Sequence, residues 1–424
     1  MRNIAPALMP NPLLSTLLLP LNRLRHLLRA ALHLLPWLLH LCIANSLLSL
    51  LLPLSLISRT ATYNASSLIA ASVWAHIQRI FTKTNKAHII VTGDALPSGE
   101  SAIVVCNHVE WSDFYMIQEL ALRAGMLGRC RWFAKKELKW VPFLGWGLWA
   151  MGMPLVSRKW MEDRKELDKV FSGVVEEGWP ICRSFVVSFR FVGIRLYQYH
   201  MHAQDPGHAR QTHTRRFLLL THLTPAHLPM MPYLPSLFCL LPSISTSNYI
   251  TPHELSSLTL STATGLISFS ESTRLTPAKR LAAASYALKH SKPLPNHLLL
   301  PRTKGFAASV QHLRSAPHVK AVYDLTLAYA DTELEKSSKS KRESFTFQSP
   351  PTFVQSVLYP DVGRRWKTLV HVRRFELRDL PEEEDGLRTW LEERWIEKGE
   401  LLEELRGKLL RGESWDELEK DEAE

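Results

Sequence analysis

Residues 30–58 contain no Asp, Glu, Lys or Arg, and leucine dominates them between Arg29 and Arg59. Nothing else in the chain constrains the fold as strongly. About 20 apolar residues suffice to cross a hydrocarbon core of ~30 Å, so such a stretch must be covered by lipid or by a large protein surface. His33, Pro36, His40, Asn45 and Pro53 interrupt it. It reads as a membrane helix, spanning or deeply re-entrant; a buried hairpin of two short helices broken at Asn45 is the alternative. A cleavable leader fits poorly, because no small-residue cleavage pattern follows a short apolar core. Arg23, Arg25 and Arg29 on one side face Arg59, Arg79, Lys83 and Lys86 on the other, so basic flanks assign no orientation.

The chain as a whole is 46% hydrophobic and 21% charged, which excludes wholesale disorder. Its 51 Lys and Arg against 40 Asp and Glu give a net charge of +11. That balance suits nucleic acid, an anionic membrane surface or a phosphate-bearing substrate without choosing among them. The five Cys show no C-x-x-C spacing, which rules out a disulfide scaffold and the common structural zinc patterns. No metal site is expected.

Beyond the apolar stretch, residues 88–93 read as a short strand ending in a turn. Residues 102–106 read as a second, buried strand, a β-branched run without alternation. It runs directly into Asn107-His108-Val109-Glu110-Trp111-Ser112-Asp113. Ser112 or Asp113 can cap a helix over 114–123, which Gly125 stops. His108 therefore sits at the carboxyl end of a strand, where α/β sheets commonly build ligand chemistry. A His that deprotonates a hydroxyl needs a carboxylate on its other ring nitrogen to fix the tautomer and stabilise the imidazolium. The spacing alone is weak, since His200 and Asp205 repeat it where no strand precedes them. The Asn and the buried strand before it make the first pair specific.

Residues 131–149 interleave Arg131, Lys135, Lys136 and Lys139 with Trp132, Phe133, Trp140, Phe143, Trp146 and Trp149. That mixture describes a surface at headgroup level or, alternatively, plain core packing of the tryptophans. Further on stand Gly152-x-x-Leu155-Val156-Ser157-Arg158, then Ile267-Ser268-Phe269-Ser270-Glu271-Ser272-Thr273-Arg274, then Leu300-Pro301-Arg302-Thr303-Lys304-Gly305-Phe306. Together with Asn107-His108 and Asp113, these resemble the four ordered blocks of the glycerophospholipid acyltransferases. The nearest branch is the 1-acylglycerol-3-phosphate acyltransferases and the lysocardiolipin or lysophosphatidylinositol acyltransferases. Val322-Tyr323-Asp324, His371-Val372-Arg373-Arg374-Phe375 and Trp390-Leu391-Glu392 support the likeness, which covers roughly residues 75–180 and 265–400.

The resemblance implies an α/β acyltransferase domain, a mixed sheet flanked by helices, with an N-terminal membrane helix or re-entrant hairpin. It implies His108 as general base and Asp113 as its orienting carboxylate. Asn107, Gly152, Arg158, Glu271, Thr273, Arg274, Pro301, Arg302 and Lys304 would hold the acceptor's phosphate and glycerol. Acyl-CoA would be co-substrate and a lysophospholipid the acceptor, with membrane lipids as partners, no nucleic acid and no cofactor. The endoplasmic reticulum or a related endomembrane is the implied location. A non-catalytic lipid-binding pseudoenzyme is the rival.

Two departures from the pattern feed that rival. The third block normally reads Glu-Gly-Thr-Arg, and Ser272 stands where Gly would supply a positive φ or a close approach. In addition, residues 181–264 intervene where the blocks normally run on; this stretch has no Lys and holds seven of the 18 His. It reads as a retained intron or gene-model error with disorder as the consequence, against a true disordered insertion or a membrane-associated hairpin over 217–241. The expected organisation is 1–60 membrane anchor, 61–180 and 265–380 the two parts of the acyltransferase domain, 181–264 the insertion and 381–424 an acidic helical tail. That tail carries Trp390, Leu391, Trp395, Leu401, Leu402 and Leu405 at helical spacing and is expected to pack on the domain.

Overall fold

The structure, a computed structural model, describes residues 12–141, 144–157, 171, 264–332, 350–413, 415 and 418. Arg158, the His200–Asp205 pair and all but the last residue of the 181–264 segment lie outside the described residues.

Helix α1 (Pro12–Leu50) and helix α2 (Arg59–Arg79) run antiparallel. Arg29 donates to Asn85 Oδ1 at 2.6 Å, Trp37 Nε1 to Val73 O at 3.4 Å, and His40 Nδ1 lies 3.2 Å from His76 Nδ1. The break that the hairpin alternative places at Asn45 falls later. Asn45 stays in α1, donating to Leu41 O at 2.7 Å, and the chain turns through a 3-10 segment at Leu52–Leu56 that contains Pro53. Ser58 then caps α2 by accepting from Ala61 N at 3.3 Å. Trp37, Ala44 and Leu48 are buried, while Leu28, Leu32, Leu35 and Leu39 form an outer row 61% to 69% exposed. Among the described residues, Leu27–Leu56 is the one segment long and apolar enough to cross a membrane.

Strand β1 (Ile89–Gly93) and β2 (Ser101–Cys106) lead to helix α3 (Asp113–Arg123), with Gly125 at φ 65° just beyond it. Then follow β3 (Cys130–Trp132), β4 (Ala134–Lys135), α4 (Leu144–Ala150) and β5 (Leu155–Val156). Further along the chain come β6 (Gly265–Phe269), α5 (Pro277–Lys289), α6 (Thr303–Leu313) and β7 (Val319–Asp331). The chain closes with α7 (Phe353–Leu358), β8 (Trp366–Glu376) and α8 (Glu384–Arg411). The main sheet has the order β1-β8-β7-β2-β6-β3, and β4 pairs with β5 in a separate ribbon. β7 and β8 are antiparallel and every other neighbouring pair is parallel, which makes the sheet mixed.

Every residue of β2 is buried, as its unbroken apolar run requires of a central strand covered on both faces. Period-two alternation divides its side chains. Ala102, Val104 and Cys106 pack with Phe81, Tyr115 and Met116 toward α2 and α3. Ile103 and Val105 pack with Phe306, Val310, Leu391 and Trp395 toward α6 and α8. α8 is the acidic tail expected from the sequence. Its Leu387, Leu391, Trp395, Leu402 and Leu405 are buried, and its glutamates line the opposite side. In the basic and aromatic stretch, Arg131 and Trp132 are core, whereas Trp140 is 78% exposed with Lys139 Nζ 4.7 Å from its ring centre. The stretch thus divides between the two readings of it.

Candidate active site

β2 and β6 are parallel neighbours in register, with Cys106 opposite Phe269, so the chain leaves both strands at one edge of the sheet. The Asn-His block and the Glu-Ser-Thr-Arg block emerge side by side for that reason. Leu275 N donates to His108 O at 2.8 Å and ties the two loops together. The fourth block joins them, since Arg302 N donates to Ser270 O at 2.7 Å. The β4–β5 ribbon carries the second block and ends at Val156; Arg158, its cation, lies outside the described residues.

His108 Nδ1 lies 2.7 Å from Asp113 Oδ2, and the same oxygen accepts from the amides of Val109 at 2.7 Å and Glu110 at 3.1 Å. Asp113 is fully buried. With Oδ2 accepting at Nδ1, the tautomer this contact selects carries its hydrogen on Nδ1 and its lone pair on Nε2. Nε2 is left with its lone pair and no hydrogen bond among the described residues. The ring stacks on Phe269 at 4.0 Å between centres, which fixes its plane while its side chain stays 16% exposed. These are the requirements of a base that takes a proton from an incoming hydroxyl.

The helix cap expected of Ser112 or Asp113 is not made. Asp113 opens α3, but its carboxylate turns back to the loop. Ser112 Oγ instead donates to Tyr329 OH at 3.2 Å. Asn107, expected among the acceptor's contacts, is buried, and both ends of its amide are engaged by the backbone of Leu327, at 3.0 and 2.8 Å. It staples the loop to β7. Gly152 sits in a left-handed turn at φ 68° after α4, its amide bonded to Trp149 O at 2.9 Å.

The remaining expected residues divide between surface and interior. Arg274, Arg302 and Lys304 are exposed, and Pro301 is half-buried. Arg274 forms an ion pair with Glu110 of the His108 loop, and Lys279 of α5 donates to Thr273 Oγ1. These groups offer cations next to the His–Asp pair. Glu271 differs from the expectation: it is 3% exposed and its carboxyl faces inward. Leu299 N and Trp395 Nε1 donate to Oε1 at 3.2 and 3.4 Å, and Oε2 is buried without a hydrogen-bond partner of good geometry. Burial pushes its pKa up to about 8 against these donors. Ser272 adopts φ 57°, the left-handed region that a glycine would occupy without penalty.

Three residues of this neighbourhood were not evident from the motifs. Tyr329 OH donates to Asp113 Oδ1 at 2.5 Å. Trp395 carries α8 to Glu271. Lys398, fully buried, pairs with the fully buried Asp324 and donates to Leu325 O at 2.7 Å. Asp324 also accepts from Arg373 at 2.8 Å, and the two stand opposite each other in the β7–β8 register. Lys398 had a legible signal. It lies on the stripe Leu391, Trp395, Leu402 and Leu405, where a lysine needs a buried counter-charge.

Residues 88–185 match the Acyltransferase family model, and residues 362–408 match the model for the acyltransferase C-terminus. The chain is 27% identical over 305 residues to the 1-acyl-sn-glycerol-3-phosphate acyltransferase delta of Homo sapiens, covering 72% of this chain and 53% of that protein. It is 25% identical over 304 residues to the 1-acyl-sn-glycerol-3-phosphate acyltransferase 2 of Brassica napus, covering 72% and 51%. The chain therefore spans about half the length of the curated relatives it matches. No solved structure gives a significant match. The first of these matches contains the His108–Asp113 pair and the second contains the helix that reaches Glu271, so the segments in which this chain is similar to the acyltransferase family are the ones that build the site.

Proposed function

We propose that this chain is an acyl-CoA-dependent lysophospholipid acyltransferase with 1-acylglycerol-3-phosphate as its foremost acceptor. Lysocardiolipin and lysophosphatidylinositol are the alternative acceptors. The observation that carries the reading is His108 Nδ1 on Asp113 at 2.7 Å, on the same sheet edge as Arg274 and Arg302. Nε2 takes the proton of the acceptor hydroxyl as the oxygen attacks the thioester carbonyl. A C–O bond forms, the tetrahedral oxyanion collapses, the C–S bond breaks, and the proton passes from the imidazolium to the CoA thiolate. Arginine suits the acceptor's phosphate because its fork grips two oxygens and keeps its charge. The names of the relatives support the choice of acceptor. The leucine row of α1 supports residence at a membrane, the endoplasmic reticulum by resemblance.

Membranes carrying the protein, supplied with labelled acyl-CoA and each acceptor in turn, should form the diacyl product. His108→Ala should abolish transfer and leave membrane association intact. General bases contribute typically 10²–10⁴-fold, so a variant that keeps more than about a tenth of kcat sinks the role. The second reading, a lipid-binding protein without activity, is favoured by the φ of 57° at Ser272. Absence of product with every acceptor, from a folded protein, would decide for it.

A further inference from the structure

The His–Asp pair has a third member that no motif marks. Asp113 is fully buried, and its two oxygens are used differently. Oδ2 accepts from His108 Nδ1 and from the amides of Val109 and Glu110. Oδ1 accepts from Tyr329 OH at 2.5 Å, and no other described residue donates to it. The tyrosine is 1% exposed and takes a hydrogen bond from Ser112 Oγ at 3.2 Å, so a chain of donors runs Ser112 to Tyr329 to Asp113. Tyr329 lies two residues beyond Leu327 on β7, and both face the α2–α3 side of the sheet. Leu327 is the residue whose backbone staples Asn107. A single strand thus fixes the His108 loop at its start through Asn107 and at its end through Asp113.

We propose that Tyr329 is a positioning residue for acyl transfer: its hydroxyl locks the Asp113 carboxylate so that Oδ2, and only Oδ2, faces His108. The proposal rests on the reading of His108 as base. Without the tyrosine hydroxyl, the carboxylate is left with Oδ1 buried and no donor to it among the described residues, while Oδ2 keeps its three. Its charge is then offset at Oδ2 alone, where it holds the imidazolium more tightly. The base therefore needs a higher pH to lose its proton. The other charged or titratable groups facing the pair are Glu110 on the loop with its partner Arg274, Glu271 on the turn after β6 and Cys106 at the end of β2. They remain unchanged when the tyrosine loses its oxygen, so a shift of the profile reports on the tyrosine–aspartate bond.

The test is the pH dependence of kcat and KM between about pH 5 and 9 for wild type, Tyr329→Phe, Ser112→Ala and His108→Ala, with circular dichroism to check folding. Acyl-CoA and 1-acylglycerol-3-phosphate are the substrates. Tyr329→Phe should lower kcat at neutral pH by roughly ten- to a hundredfold, the worth of a hydrogen bond to a charged group. KM for acyl-CoA should stay within about twofold, because uniform substrate binding is untouched. The acid limb of kcat should move up by about half a unit to one unit. Ser112→Ala should move it the same way by less, because the tyrosine keeps its bond to Asp113 but loses its own support. A structural role alone would lower the amount of active enzyme and leave the limb where it is. A folded Tyr329→Phe with the wild-type limb overturns the proposal. Should Tyr329→Phe fail to fold, an unmoved limb in Ser112→Ala overturns it instead. Activity surviving in His108→Ala overturns the general-base reading, a different outcome from either.

Discussion

Replacing Ser272 by glycine should stabilise the fold and, on the proposed function, sharpen acceptor binding. Ser272 is held at φ 57° in the turn between β6 and Thr273, with its amide donating to Phe269 O at 2.8 Å. A side chain in this left-handed region costs roughly 1–2 kcal/mol, from the contact of Cβ with the following carbonyl. No hydrogen bond of the serine hydroxyl within the described residues offsets that cost. Glycine removes the strain but widens the unfolded ensemble, a loss of about 0.4–1 kcal/mol. The net gain is on the order of 1 kcal/mol, which for a domain of this size raises Tm by about 2–4 °C. If the same relief lets Thr273 and Arg274 settle on the acceptor in the transition state, kcat/KM rises up to about fivefold. The assay is thermal unfolding and acyl transfer of wild type, Ser272→Gly and Ser272→Ala in the same detergent. Alanine keeps Cβ and so should gain nothing. Equal Tm for the glycine and alanine variants would refute the argument, because the strain would then not reside in the φ of this residue.

Glu271 gives a pH dependence with a definite sign. Its value is pushed from 4.5 up to about 8 by burial, so the folded chain holds a proton that the unfolded chain has released. The stability this contributes is whole below about pH 4.5 and is lost as pH rises through about 8. Glu271→Gln should flatten the fall of Tm over that window and be more stable than wild type at its alkaline end; parallel curves would contradict it. Lys398→Met leaves Asp324 buried with Arg373 alone and should destabilise by about 3 kcal/mol or more. An unchanged Tm in that variant would show that the pair is not what anchors α8. Glu110→Gln frees Arg274, and because the pair is half exposed its loss should leave Tm within about 1 kcal/mol of wild type. The KM for a phosphate-bearing acceptor should fall, most at low salt, and an increase in KM would contradict the proposed role of Arg274.

The strands at the heart of the site were legible because they obey one-dimensional rules. Residues 102–106 form an unbroken apolar run with Ile103, Val104 and Val105 β-branched, which suits a strand covered on both faces; β2 is that strand. The His108–Asp113 pair was legible because it is local, five residues apart across one loop. The tail helix was legible from its apolar stripe. What could not be read is everything set by strand pairing across long sequence separations. β2 lies between β6 and β7, so the partners of its loop come from residues 271–275 and 327–329. Nothing in the spacing of Tyr329 marks it: on a strand buried on both faces, a tyrosine whose hydroxyl meets a buried carboxylate looks the same as one that merely fills volume. The residues expected to hold the acceptor show the same limit from the other side. Glu271 and Arg274 stand three apart in one motif, yet a tight turn sends the first into the core against Trp395 and the second into solvent against Glu110. Ser272 is the hinge of that divergence. Its positive φ could be anticipated from the missing glycine, because a conformational demand belongs to one residue, whereas the burial of its neighbour belongs to the helix that closes over it.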